Sequence, residues 1–482
     1  EEEILAVLDR LSVYKIKALK SEIFNLLDFP SYKVKTAAIK QLYAYDKGAA
    51  MEKIKPLIFS NHNQLVHTAL SYILEHSDLS QYDFFSEYLD HNDPYISSSA
   101  LLCLSEEANG NENIGKRFKL ESRIESRLNE LLLDDEKTNQ ADIAKLLLTI
   151  ANSGLKQYYS YINANLQNNN TYIKRYAIKA AGITNDEQFI KVIIKFLAIK
   201  KHRKSAIKAL KMYGEEISNT ILKLIQKEDL NDDVKKYLPK AIEAFKTKAS
   251  KKILFKLSNN RDITIRLEAV KSLYKISKSA KTKLDIRSVK KLIAQESKYY
   301  KTTINAISTI QNSIEINLVD DSKPDEETEK LTAREILIIA LQDELECCLQ
   351  ITFKLLSFLY DKMDVEVAYH GLKSDIRETR MNSIEFLDNL LHIKLKNTVL
   401  PLIEYHITDT DKVNSSSFKT TLYTEKQCLT LLLKQRGKYV KLTVLNLIQY
   451  LEHRKSYSKY VKPLLKHKNK EVRESAKIVL EQ

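Results

Sequence analysis

The side chains best suited to chemistry in this chain are cationic, and the chemistry they suit is anion binding. Lys204, Lys208 and Lys211 are spaced i, i+4, i+7, and Lys271, Lys275 and Lys278 repeat that spacing. On a helix each triplet makes one charged stripe. Lys200, Lys201 and Arg203 lead into the first triplet, and these nine residues are the candidates for an anion-facing surface. They belong to a basic block, 189–301, that holds 30 Lys/Arg against 11 Asp/Glu, a net of +19 in a chain of net +14, so the remainder carries −5. Stripes set side by side attract phosphate backbones, anionic lipid headgroups or acidic proteins. The competing reading is a solvated face shaped by composition. Lys outnumbers Arg 62 to 15, and an ammonium lacks the planar fork that grips a phosphate at two points.

Other reactive side chains form no catalytic pattern. The ten histidines show no ligand spacing: His62 and His67 lie five apart, and Glu75-His76 and Glu452-His453 sit at opposite ends of the chain. No metal, cofactor-binding or catalytic residue is therefore expected. Eight dispersed glycines cannot build a phosphate loop, no nucleophile elbow occurs, and there is no Trp. Cys103, Cys347, Cys348 and Cys428 fit no C-x-x-C pattern and read as free thiols of a reducing cytoplasm, with Cys347 and Cys348 packed in a core. The tyrosines number 26, including the adjacent Tyr299 and Tyr300 at the end of the basic block. They read as half-buried spacers, with base stacking the alternative.

The elements that position these residues are helices. Gly and Pro number 8 and 7 in 482 residues, too few for a turn-rich β architecture. An apolar anchor followed four residues later by Ala recurs at Val34/Ala38, Leu65/Ala69, Ile96/Ala100, Ile173/Ala177, Ile265/Ala269 and Val472/Ala476. Weaker members are Gln140/Ala144, His202/Ala206 and Thr302/Ala306, and Val234 keeps the phase. From 34 to 302 the anchors fall 31, 31, 44, 33, 29, 32, 31 and 37 residues apart. Two positions four apart share a helical face, and the small residue admits a neighbouring helix. Pro56–Ala69 aligns without a gap to Pro463–Ala476: a proline suited to a first helical turn, an apolar turn, an Asn-bearing break, then a new helix. Asp93, Asp232, Asp262 and Asp375 are placed to cap helix starts, and Lys35, Lys174, Arg266 and Arg473 follow the anchors.

This pattern resembles HEAT and armadillo-like repeats. The resemblance implies an all-α fold, a HEAT-like α-solenoid in which antiparallel helix pairs stack into a right-handed superhelix. Each hairpin has two apolar faces and cannot bury both alone, so stacking completes the core and function moves to exposed surfaces. The expected organisation is an N-terminal solenoid, 1–316, with a loop insertion at 108–119. An acidic linker or loop follows at 317–330, then a C-terminal solenoid segment, 331–482, with a Thr/Ser/Asp-rich loop at 408–421.

Residues 333–404 carry a narrower resemblance. Ser383-Ile-Glu-Phe-Leu-Asp-Asn389 carries most of it, with Ala333–Leu345, Phe353–Tyr360 and Leu400–Glu404. They resemble the helical-repeat region attached to bacterial nucleotide-translocase-like (ATP/ADP exchanger-type) transporters. No transporter core is present, so no transport residue carries over. The resemblance implies a cytoplasmic module at the inner face of a bacterial membrane, part of a longer chain, in keeping with an opening Glu1-Glu2-Glu3 that lacks Met. The expected function is thus a non-catalytic scaffold with a protein partner. The alternative is a solenoid that binds nucleic acid or an anionic membrane through 189–301.

Overall fold

The computed structural model describes residues 1–481 except 14–16, 44–47, 77–81, 134–138, 228–229, 246, 280–284, 318–323 and 408–422. Helices make up the regular structure, and no strand occurs among the described residues. The chain divides into two compact units, Glu1–Tyr213 and Gly214–Gln482. Each is a HEAT-like α-solenoid stack.

In the first unit the anchor-and-alanine helices pack one on the next in chain order. They are Tyr32–Leu42, Asn63–His76, Pro94–Gly110, Gln140–Ser153, Thr171–Ile183 and Arg203–Met212. Other helices cover their other side, among them Leu120–Leu133, Tyr159–Leu166 and Ile190–Lys195. The repeated alanines lie where the helices meet: Ala38, Ala69, Ala100, Ala177 and Ala206 are 0% exposed and Ala144 is 2% exposed. The anchors Val34, Leu65, Ile96 and Ile173 are buried with them, and each such side chain taken from water stabilises the stack by about 1.5–3 kcal/mol. Among the glycines of this unit the closest approach is Gly182 against Ala209, where a Cβ on the glycine would stand 2.7 Å from the Ala209 Cα.

The turns between paired helices are closed by side chains. Asp93 and Asp262 accept the N–H groups of Tyr95 and Thr264, each at 2.9 Å, as their positions suggested. The other two expected caps differ. Asn231 caps its helix through Val234 N–H, which leaves Asp232 in the first turn, and the cap position after Asp375 is held by Ile376 with no side-chain bond. Four arginines share one role. Arg203, Arg266, Arg380 and Arg473 reach back to the carbonyls six and five residues earlier, at 2.7–3.2 Å, and tie the end of one helix to the start of the next. The aligned Pro56 and Pro463 segments adopt the same order: a four-residue helix, a 3-10 turn carrying the proline, then Asn63–His76 or Lys470–Glu481.

The second unit stacks Asp232–Ile242 on Ile263–Ser279 and then departs from the short repeat. Two long helices, Ile286–Asn317 and Pro324–Leu356, pack along each other. The second of them lies between helix 263–279 and Lys438–Tyr450, and Lys470–Glu481 packs on the latter. Lys362–Leu372 and Arg377–Leu390 form a hairpin beside Ile393–Ile407, which rests on helix 286–317. Helix starts far apart in sequence meet. The Asp262 carboxylate accepts Lys438 N–H at 3.3 Å, and Asn469 donates to Asp233 at 3.0 Å.

Two expected loops read differently. Within 108–119, the preceding helix runs to Gly110 and a second helix, Glu112–Arg117, follows with Asn111 capping Asn113 N–H. Phe118 is buried against Phe85, ring centroids 5.9 Å apart, so the insertion is anchored by apolar burial. Of 317–330, Asn317 ends one helix and Pro324–Lys330 begins the next, as proline at a first turn allows. This segment falls inside the second compact unit, whereas the units divide at Tyr213/Gly214. Residues 318–323, and the expected loop 408–421, lie outside the described residues.

Candidate interaction surface

Helix 203–212 begins after the turn Ile199–His202. Its apolar side, Ala206, Ala209 and Leu210, is buried, and Lys204, Lys208 and Lys211 emerge from the opposite side. Lys200 and Lys201 in the turn are exposed as well. None of these five has a carboxylate within ion-pair distance among the described residues, and the chain from 188 to 214 contains no Asp or Glu. Arg203 does not share their role. Its guanidinium donates to Leu197 O at 2.8 Å and Ala198 O at 3.2 Å and is spent on the turn.

The neighbouring helix 171–183 adds Lys174, Arg175 and Lys179 and likewise has no acidic residue. The two helices run parallel. Arg175 donates to Lys201 O at 3.4 Å near their starts, and Gly182 meets Ala209 near their ends. The covering helices lie behind both, so the exposed sides share one face. Positive charge converges on His202 there. Burial lowers its imidazole below the ordinary histidine value, and Lys174, Arg175 and Lys201 lower it further.

Two members of the second triplet, in the other unit, are compensated. Lys271 pairs with Glu268 at 3.0 Å and Lys275 with Glu243 at 3.3 Å, where Ser272 also donates. The Lys278 side chain lies outside the described residues, as do Lys246, Lys281 and Lys283. Equal sequence spacing therefore yields an open stripe in one place and paired lysines, Lys271 and Lys275, in the other, because the repeat preceding Lys275 supplies Glu243 and the helix preceding Lys208 has no acid.

Tyr299 and Tyr300 are packing residues. Tyr300 is fully buried, and the Tyr299 ring has the guanidinium groups of Arg266 and Arg436 near it, 4.2 and 5.3 Å from its centroid. These arginines belong to a buried charge cluster that sequence reading missed. Arg266 binds Glu296 through two bonds of 2.6 and 3.2 Å, both residues 1% exposed. Arg436 donates to Thr302 and Thr303, each at 2.8 Å, and stands 3.4 Å from Glu344, whose carboxyl is pushed up by burial. Arg266 stood out as the residue after an anchor, but its partner is 30 residues away and carries no local mark.

A second missed cluster joins His67, Cys103 and Glu106. The imidazole lies 3.1 Å from Glu106, and hydrogen bonds with Cys103 and then Glu106 raise it to about 10, so it is charged at neutral pH. Cys103 is 2% exposed, which closes its thiol to a substrate. Cys348 is buried and Cys347 half-buried, and burial raises both thiols, as core packing implies. No group of three His, Cys, Asp or Glu side chains among the described residues is arranged to hold a metal, and no described helix is long and apolar enough to cross a membrane.

No family model matches the chain, and no curated protein matches it. Among solved structures it is similar to an engineered protein, with 14% identity over 96% of this chain and 98% of that one and a TM-score of 0.25. It is also similar to importin beta crystallised in ammonium sulfate, with 12% identity, 96% and 79% coverage and a TM-score of 0.30. A third is Kap121p, with 12% identity, 95% and 52% coverage and a TM-score of 0.30, so the chain spans about half of that protein's length.

Proposed function

We propose that the chain is a non-catalytic scaffold that binds another protein. The observation that carries this reading is the face of helices 171–183 and 203–212: exposed, uncompensated cations on a close-packed helical layer rather than groups converging in a cleft. Stacked repeats hold such a face rigid, so a partner meets it with little ordering cost. The test is affinity capture with the full chain from nuclease-treated extract. A small set of proteins, retained at physiological salt and displaced by excess free chain, is expected. Retention of nucleic acid alone, in extract left untreated, would replace this reading with the nucleic-acid one. Affinity for oligonucleotides would then fall with salt at a slope of about −0.9 per neutralised phosphate.

The narrower form of the proposal makes the scaffold the cytoplasmic module of a nucleotide-translocase-like membrane protein. It rests only on the 333–404 resemblance. The parent reading frame tests it: a series of hydrophobic spans beside this region is expected, and a frame without any would end it.

A further inference from the structure

We propose that the face formed by helices 171–183 and 203–212 takes an acidic protein segment that also carries apolar side chains. This rests on the scaffold reading and names its partner class. Lys204 to Lys211 cover about 10 Å along the helix axis at 1.5 Å per residue, and Lys200, Lys201 and Lys179 extend the cationic area. Apolar groups border it. Ile199 is 45% exposed just before the stripe, Met212 is 49% exposed just after it, and Tyr172 is 39% exposed on the neighbouring helix. An acidic segment with interspersed apolar residues satisfies both features, since carboxylates meet the ammonium groups while its apolar side chains cover Ile199 and Met212.

A nucleic-acid backbone fits less well. It brings no apolar group to Ile199 or Met212. The Arg203 fork is engaged by two carbonyls, and Arg175 gives one donor to Lys201 O, so the face is mostly lysine, which lacks the planar fork that grips phosphate. The exposed tyrosine is engaged too: the Tyr172 and Tyr176 rings pack on each other, centroids 4.8 Å apart, leaving less of a base-stacking platform.

The experiment measures fluorescence anisotropy on the full chain with three probes. One is a labelled peptide of about 15 residues, long enough to cross the face, made of Glu and Asp with three spaced Leu. The second is an all-acidic peptide of the same net charge, and the third is oligothymidylate of similar charge. The mixed peptide should bind at least about fivefold more tightly than the all-acidic one. Lys204→Glu/Lys208→Glu/Lys211→Glu should weaken it at least about tenfold. Ile199→Asp/Met212→Asp should erase the preference for the mixed peptide. A circular-dichroism melt within a few degrees of the wild-type chain shows that these surface variants fold. Equal binding of the two peptides, tighter binding of oligothymidylate through the same lysines, or an unaffected charge-reversal variant would each overturn the proposal. Should that happen while the captured proteins are still retained, the scaffold reading stands and only this partner class fails.

Discussion

Replacing Gly182 with alanine should destabilise the first unit, although alanine is ordinarily the better helix former. Gly182 lies inside helix 171–183, where Gly→Ala normally gains up to about 1 kcal/mol. Here the new Cβ would stand 2.7 Å from the Ala209 Cα, 2.8 Å from its Cβ and 3.1 Å from its carbonyl oxygen. Two of the three are backbone atoms of the facing helix, so no side-chain rotation relieves the clash and the helices must separate. Overpacking of this kind costs about 1–3 kcal/mol, and the propensity gain offsets only part of it. The net loss should be about 1–2 kcal/mol, seen as a lower urea midpoint with little change in slope. Ala209→Gly in the same background should not restore the parent stability, because the contacts with the Ala209 Cα and carbonyl oxygen remain and glycine adds its own helix penalty. Gly110→Ala is the control, because nothing lies within 4 Å of a Cβ there and no loss is expected. A Gly182→Ala chain more stable than the parent would refute the close helix contact and with it the register of the two cationic helices.

Arg266→Met should cost about 3–5 kcal/mol in chemical denaturation, since it strands the buried Glu296 carboxylate, and Glu296→Leu added to it should recover most of the loss. His67 gives a pH signature. Its folded value, raised from 6.5 to about 10, means that its stabilising contribution is fully present below pH 6.5 and is lost as pH rises through about 10. Glu106→Gln should flatten that decline in denaturation midpoints between those limits, and an unchanged profile would remove the Glu106 contact from the explanation. Lys201→Glu should raise the imidazole value of His202, measured by NMR titration, because it turns one of three converging cations into an anion. No rise would mean that the local positive potential is absent.

Much of the fold was legible because helical stacking writes a short-range code. The alanine four residues after each anchor marks the close contact in its own helix, so the buried positions Ala38 through Ala206 are legible in the sequence. The Pro56 and Pro463 segments match for the same reason. Interactions between distant segments were not legible. Nothing local pairs Arg266 with Glu296, Asp233 with Asn469, or Asp262 with Lys438. Polarity misled at 108–119 and over 324–330, since Asn and acidic residues suit helix starts as well as loops, and Phe118 supplied an anchor that composition hides. The cationic triplets show the limit most clearly. Lys208 and Lys275 occupy the same place in their triplets, but whether each is paired depends on the preceding repeat, which offers Glu243 to Lys275, while the helix before Lys208, 171–183, carries no acidic residue.

Lysine footprinting of the full chain, by brief acetylation and mass spectrometry with and without a retained partner, tests the central claim most directly. Lys200, Lys201, Lys204, Lys208 and Lys211 should react readily in the free chain, ahead of the paired Lys271 and Lys275, and should be shielded once the partner binds. Slow reaction of Lys204, Lys208 and Lys211 in the free chain, or full reactivity with the partner in place, would contradict the account.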